Sequence, residues 1–507
     1  MESPEPRPQG HPRRWQILAV LSLSVFVVVM DNTILNVAIP SLLKDLNAST
    51  SDVQWVIDAY SLLFAGLLLT AGSLGDRYGR RRAMLIGFAL FGGGSLLAAF
   101  ADGPGMLAAM RAVMGIGGAL LMPGTLSIMA QVFAPEERAK AFAIWGTASI
   151  VAIAAGPTIG GFLLQHFWWG SAFLVNVPVA AVAVIGLITL VPESRGPRRR
   201  PDLLGALLST LGMSALIWSI ISGPEHGWTG VRTLGGLTVA AAALGSFVAW
   251  QHRNPEPMLD LGLLRKRAFG GAAVVIALSN FTLAGVLFML TQFLQLVLGF
   301  NPLEAGLAML PVAVAAGVGN GLCVKVDARI GSRWTIALGT AVTAAGFALI
   351  GVVEPGDGYL TVVGGLVVLA FGAGLGTLPA YNMLMGAVPR EDAGIGSAVN
   401  DSGQELGNAL GVAVVGSVLS ALYARDLPDG APAAARHSLG EALGLGDAGL
   451  AHAARDSFVH AMSLASFSIA AVTFAVAGFA ALFFRHYRPP AQNDVPSERK
   501  ETEVAAE

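Results

Sequence analysis

One cysteine, Cys323, stands in a chain of 507 residues. That excludes an internal disulfide and a cysteine-built metal cluster, and leaves Cys323 as a small apolar residue. Charge is scarce as well. Asp, Glu, Lys and Arg make up 13% of the residues, roughly half their share in soluble domains. The formal net charge is −2, so no overall basic field favours nucleic acid. The histidines (His11, His166, His226, His252, His437, His452, His460 and His486) fall in loops, tails or span ends and in no metal-ligand spacing. With no reactive cluster and no sizeable soluble domain, the reading is not an enzyme, and no metal or cofactor is expected. What fills the chain is hydrocarbon: 54% of the residues are hydrophobic, in runs near the twenty that cross a bilayer.

Fourteen such runs are read: 15–40, 53–74, 83–101, 105–131, 141–165, 171–191, 203–221, 235–251, 269–298, 303–324, 334–353, 359–386, 395–422 and 458–484. The expected fold is therefore all-α and integral to the membrane. The tails, 1–14 and 486–507, are polar. The first run is too long and too well connected to later spans for a cleaved signal peptide. Lys and Arg test the topology. With both tails on one side, 25 of the 31 fall on that side and 5 (Lys44, Arg232, Arg425, Arg436 and Arg455) on the other, Arg111 lying within a span. Basic short loops stay cytoplasmic, so both termini are expected inside, and the protein in a cell's inner membrane.

The turn Gly72-Ser73-Leu74-Gly75-Asp76-Arg77-Tyr78-Gly79-Arg80-Arg81-Arg82 lies between spans two and three. Four arginines cannot rest in hydrocarbon, so it marks a membrane face. It has an echo at Asp327-Ala328-Arg329-Ile330-Gly331-Ser332-Arg333, with its Asp displaced by one residue, and Pro135–Ala139 is echoed at Pro389–Ala393. The offset is near 254 residues, which reads as an internal duplication. The expected organisation is six helices over 15–191, an inserted pair over 192–267, and six helices over 268–485. Within the last, 423–457 is an outer loop, read as a connector, a short surface helix or a lid over the outer mouth.

Charge within a span costs a few kcal/mol or more and needs a partner or a use. Asp31 in span one, Asp58 in span two and Arg111 in span four lie roughly 13, 8 and 9 Å below the outer face, counted from Pro40, Val53 and Gly105. They share one layer of one half. Arg111 stays protonated and favours an ionised carboxylate nearby, as a proton-exchanging site or as a plain helix-holding ion pair. In span thirteen, Asp401 and Glu405 are one turn apart on one face, spaced to relay protons or cations, although Asp401 also suits a helix cap. Asn176, Asn280, Gln292 and Asn382 read as interhelical hydrogen-bonders. In span five, Gly156 and Gly160 permit close helix approach, and Pro157 bends the helix.

These motifs together resemble the fourteen-helix drug:proton antiporter family of the major facilitator superfamily, over about Trp15 to Arg485. The Gly72–Arg82 turn, with Gly72, Asp76, Arg77, Gly79 and Arg80, is similar to the superfamily's signature loop. Met30-Asp31-Asn32-Thr33 with Val37–Pro40 resembles the family's span-one motif, and Arg111 with Gly115-Ile116-Gly117 its span-four arginine motif. Gly156-Pro157-Thr158-Ile159-Gly160-Gly161 resembles the antiporter motif, which argues against a nutrient symporter. Asp31, Asp58 and Glu405 match acidic positions of antiseptic and multidrug exporters. The resemblance implies two six-helix lobes with two extra central helices, working as a monomer. It implies exchange of protons, drawn from the proton gradient, for amphiphilic and cationic cargo competing for Asp31 and Glu405. Phe281, Phe288 and Tyr381 are candidate cleft aromatics. A dedicated exporter of one self-made antibiotic, lipid or other metabolite is the alternative.

Overall fold

The structure is a computed structural model, and it describes residues 10–46, 50–196, 202–389 and 393–486. Most of both tails, the Arg198–Arg200 cluster and Arg390–Asp392 lie outside the described residues. Among those described there is no strand, and fourteen helices are long and apolar enough to cross a membrane. In chain order they are α1 (Arg14–Asp45), α2 (Thr50–Tyr78), α3 (Arg80–Ala99), α4 (Pro104–Val132), α5 (Pro135–His166), α6 (Ser171–Leu190), α7 (Leu203–His226) and α8 (Val231–Arg253). Then come α9 (Arg267–Val297), α10 (Pro302–Ala308 continuing as Leu310–Ile330), α11 (Ser332–Gly351), α12 (Tyr359–Gly386), α13 (Ala393–Asp426) and α14 (Ala448–Phe483).

Local chemistry sets many of the ends. Prolines open α4 and α5 at the first helical turn, where their missing N–H removes no bond. Asn301 and Glu304 form a capping box that starts α10. Gly79 and Gly331, the glycines matched by the internal repeat, both take positive φ (120° and 80°) between consecutive helices, a conformation that side chains disfavour. Pro123 in α4 and Pro379 in α12 lie inside helices about one repeat apart. Neighbouring membrane helices tolerate such breaks.

Helices α1 to α6 pack on one another, as do α9 to α14. Little hydrophobic force drives helix association in lipid, so close approach through small residues does that work. A Cβ on Gly115 would sit 2.5 Å from the Tyr60 carbonyl oxygen, and one on Gly339 2.4 Å from the Gly376 nitrogen. The inserted pair packs α7 against α8 and lays α7 on both α2 and α13.

One feature differs from expectation. Helix α1 does not stop at Pro40 but continues to Asp45, which puts Asp31 fourteen residues, about 21 Å, from its far end rather than 13 Å. The 423–457 segment forms short helices, one of the readings open for it, and folds onto its own lobe. It holds helices Ala433–His437 and Leu439–Gly444, with Tyr423 Oη donating to the Ala435 carbonyl at 2.9 Å and Arg436 Nη1 to that of Ala424 at 2.9 Å. Ala435, Leu439 and Ala442 join a core with Phe293 and Phe458.

Candidate functional site

Asp31 and Arg111 form a buried ion pair between α1 and α4, 2% and 0% exposed. The approach of α4 to α2 is set by Gly115, one turn beyond Arg111. It carries the guanidinium over the Tyr60 ring, 4.4 Å from its centroid. Arg111 also donates from Nε to the Val56 carbonyl at 3.3 Å and from Nη2 to Asn32 Oδ1 at 3.3 Å. The second oxygen of Asp31 accepts from Asn176 Nδ2 at 2.6 Å, and the same amide reaches Ser95 Oγ at 3.1 Å. Every charged atom thus has a partner, the condition under which a buried pair is tolerated. Asp58 is half-exposed. It stands two residues before Tyr60, about 200° round the helix, so it does not share the face that Arg111 covers.

The other lobe holds a different cluster. Asp401 is 3% exposed and Glu405, one turn on, is half-buried. Asp401 accepts from Asn400 Nδ2 at 3.0 Å and Gln404 Nε2 at 3.3 Å, and Ser397 Oγ lies 3.5 Å away. Tyr381 Oη donates to Gln404 Oε1 at 3.1 Å. Tyr381 also meets Trp145 of the first lobe edge to face, with centroids 6.3 Å apart. The indole N–H of Trp145 is buried and has no hydrogen-bond partner among the described residues. Glu405 lies within electrostatic reach of Tyr60, so the two clusters adjoin across the lobes. Phe281 and Phe288 instead pack against their own lobe's core, beside Gly411 and Gly416.

At the end of the bundle that carries both termini, the basic turn reaches between the lobes. Asp76 accepts from Arg80 Nε at 2.7 Å and, across the seam, from the backbone N–H groups of Gly394 (3.2 Å) and Ile395 (3.1 Å). It therefore caps the start of α13, where the helix dipole favours an anion. The fit needs small residues. A Cβ on Gly72 would lie 2.7 Å from the Gly394 oxygen, and one on Gly394 2.3 Å from Asp76 Oδ1. Arg77 lies over the Tyr78 ring, and Glu193, beyond α6, holds the turn through the Arg81 N–H at 3.1 Å. The echo turn makes no equivalent cross-lobe bond among the described residues; Arg333 Nε donates to the Ala481 carbonyl of its own lobe at 2.5 Å.

The span-five motif presses on the Asp31 helix. A Cβ on Gly156 would lie 1.8 Å from Thr33 Oγ1, and one on Gly160 3.3 Å from the Ile34 side chain. Pro157 and Thr158 face Gly306 of α10, and Gly161 is buried. The motif thus touches the ion-pair helix on one side and the second lobe on the other.

The sequence model of the Major Facilitator Superfamily matches residues 21–412 and, overlapping, 272–506. The chain belongs to the major facilitator superfamily. It is 38% identical to the multidrug efflux pump LfrA of Mycolicibacterium smegmatis, over 82% of this chain and 84% of that one. It is 34% identical to the methyl viologen resistance protein SmvA of Salmonella typhimurium, over 90% and 95%. It is 31% identical to the tetracenomycin C resistance and export protein of Streptomyces glaucescens, over 94% and 93%. These relatives support its place in the fourteen-helix drug:proton antiporter family of the superfamily. The human organic anion transporter TETRAN shares the fold, with TM-score 0.62 at 16% identity, over 92% of this chain and 100% of that one.

In this member of the superfamily, Tyr60, Ser95, Trp145, Gln404 and Glu193 belong to the site although spacing alone does not single them out. Tyr60 stands one turn from Val56, but only the close approach at Gly115 puts it directly under Arg111. Gln404 and Trp145 lie in α13 and α5, whose pairing partners only the assembled lobes define.

Proposed function

We propose that this transporter exports amphiphilic, cationic drugs or antiseptics across the cell's inner membrane in exchange for protons. The single observation that carries the reading is the buried, fully partnered Asp31–Arg111 pair facing, within electrostatic reach, a second acidic cluster that has no basic partner among the described residues. An ionised carboxylate buried without a cation is costly. At Asp401 and Glu405 the species able to relieve that cost are a proton or a cationic cargo. Methyl viologen, named for one relative, is a quaternary dication of that kind.

The basic-residue bias supports cytoplasmic termini. Asp76 then latches the cytoplasmic side, and cargo enters when Gly394 and Ile395 part from it. Cargo displaces protons from the acidic residues, the lobes rock, and protons reload from outside. A membrane potential supplies about 2.3 kcal/mol per charge per 100 mV, to which the pH gradient adds. Both lobes lie in one chain, so a monomer suffices.

The test is Asp31→Asn in proteoliposomes with an imposed pH gradient and a panel of monovalent and divalent cations. The expected outcome is protein that still folds, less stably because Arg111 is left without its carboxylate, and whose pH-driven export is abolished for every cargo. Unchanged pH-dependent transport by the variant overturns the reading.

A further inference from the structure

The lobes meet along two seams, and among the described residues only one is covered by protein. Where α2 runs beside α13, α7 packs on both. Thr70 and Thr210 hydroxyls are 3.3 Å apart there, Ser214 Oγ donates to the Leu62 carbonyl at 3.1 Å, and Gly66 leaves the room that Ser214 needs. Where α5 runs beside α10, a groove of about 460 Å³ remains. Thr147, Val151, Ala155 and Thr158 line one wall, and Leu310 and Val314 are among those lining the other. Its rim faces outward: Val151, Leu307, Leu310 and Val314 are 45 to 65% exposed. The stripe 147–159 covers the middle of α5 and the half remote from the termini.

We propose that this groove seats the apolar part of an amphiphilic cargo and passes it sideways between the interlobe space and the bilayer half remote from the termini. The inserted pair seals the opposite seam and so makes the traffic one-sided. The occupant must be lipid-soluble, because the groove opens within spans and its walls are apolar apart from two threonine hydroxyls. Its volume suits a small molecule, for which sites run about 300–1,000 Å³. Its inner edge is polar. Thr147 accepts from Asn320 at 3.2 Å. Trp145, two residues before Thr147 and so on the opposite face of α5, meets Tyr381, which bonds Gln404, which bonds Asp401. An amphiphile that leaves the groove for the interlobe space can bring a cationic head to that acid, which a neutral acyl chain gains nothing from doing. The far end of the groove is Thr158, within the span-five motif.

The inference rests on the efflux reading, and two experiments keep them separable. Purified protein in nanodiscs is photolabelled with an alkyltrimethylammonium probe carrying a diazirine at its tail end. Labelling of the 151–159 and 307–317 segments, suppressed by excess dodecyltrimethylammonium, is expected whether or not transport is proton-driven. Label spread evenly over bilayer-facing helices, or unaffected by the competitor, overturns the proposal. In vesicles, Gly317→Leu and Val314→Trp fill the groove; Gly317 has space for a Cβ 3.7 Å from Thr147, and Val314 faces outward. Both variants should lower dodecyltrimethylammonium efflux about tenfold, the order expected when two methylenes lose their burial. They should leave hexyltrimethylammonium efflux unchanged, as should Leu207→Trp on the exposed face of α7 for both compounds. Equal loss for both tail lengths, or no loss for either, overturns the groove's role. Wild-type protein that moves neither compound sinks the efflux reading instead, and the labelling result then decides the groove alone.

Discussion

In the first lobe the buried carboxylate of Asp31 has a guanidinium on one oxygen and an amide on the other. In the second lobe the hydrogen-bond partners of Asp401 are Asn400, Gln404 and Ser397, all neutral, and its charged neighbour is another acid, Glu405. The repeat does not impose this difference. At an offset near 254, the places of Asp31 and Arg111 fall near Gly285 and Gly365, and those of Asp401 and Glu405 near Thr147 and Val151. Each lobe has therefore acquired its own polar site on a shared helical frame. The contrast teaches a division of labour. A saturated ion pair is a fixed element, since removing either partner strands the other. A carboxylate with neutral neighbours keeps its structure whether its charge is met by a proton or by a cargo. Tyr60, with Arg111 on its face and Glu405 within electrostatic reach, stands between the two.

The comparison breaks most sharply at Arg111. Arg111→Gln leaves Asp31 buried and uncompensated, so thermal unfolding in detergent should report a loss of about 3–5 kcal/mol. Asp31→Asn combined with Arg111→Gln should recover most of that stability while transport stays absent. A single variant as stable as wild type removes the claim that the pair is saturated. In the second lobe the expected balance is reversed. Asp401→Asn and Glu405→Gln keep the neutral hydrogen bonds, so stability should change by no more than about 1 kcal/mol. Binding of a cationic dye, followed by fluorescence, should weaken about tenfold, or roughly 1.4 kcal/mol. Large unfolding shifts with unaltered dye binding would make the two clusters alike.

Much of this was legible before the structure, for identifiable reasons. Span number follows from hydropathy, because the bilayer demands a minimum apolar length whatever the packing. Asp31 and Arg111 announce themselves because charge in hydrocarbon is expensive. Asp401 and Glu405 follow from helical spacing. What was not legible depends on contacts between distant segments. Asp76 caps a helix that starts more than 300 residues later, and nothing local to either segment says so. Asn176 reads as a generic hydrogen-bonder until α6 places it on Asp31. Pro40 suggests a helix end, but α1 runs five residues further. The Gly156 motif reads as close packing or a hinge, and the structure supplies its neighbours, Thr33 and Gly306. The groove is invisible in sequence because it is the absence of a covering helix on one seam.

The smallest expected effect concerns the inserted pair, which belongs to neither lobe and is held at the termini end by Asp202. Its carboxylate accepts from the Gly205 N–H at 2.8 Å, Trp250 Nε1 at 2.7 Å and Gln251 Nε2 at 2.6 Å. Partial burial pushes its pKa up, but these hydrogen bonds outweigh that and hold it below the ordinary 3.8. A carboxylate depressed in the folded state contributes stability above its unfolded value and loses it as pH falls through the folded one. The anchor should therefore be intact from neutral pH down to about pH 5 and weaken only below the ordinary aspartate range. Asp202→Asn keeps the oxygen that the helix and Trp250 share but turns its amide donor toward the Gln251 amide, at a cost of about 1 kcal/mol. Hydrogen exchange of amides 205–209 reads this directly. Wild-type protection should be equal at pH 7 and pH 5, and the variant should exchange several-fold faster at both. If α7 were held by its contacts with α2 and α13 alone, the substitution would leave those rates unchanged, and the inserted pair would count as part of the lobes' own packing rather than a separately anchored seal.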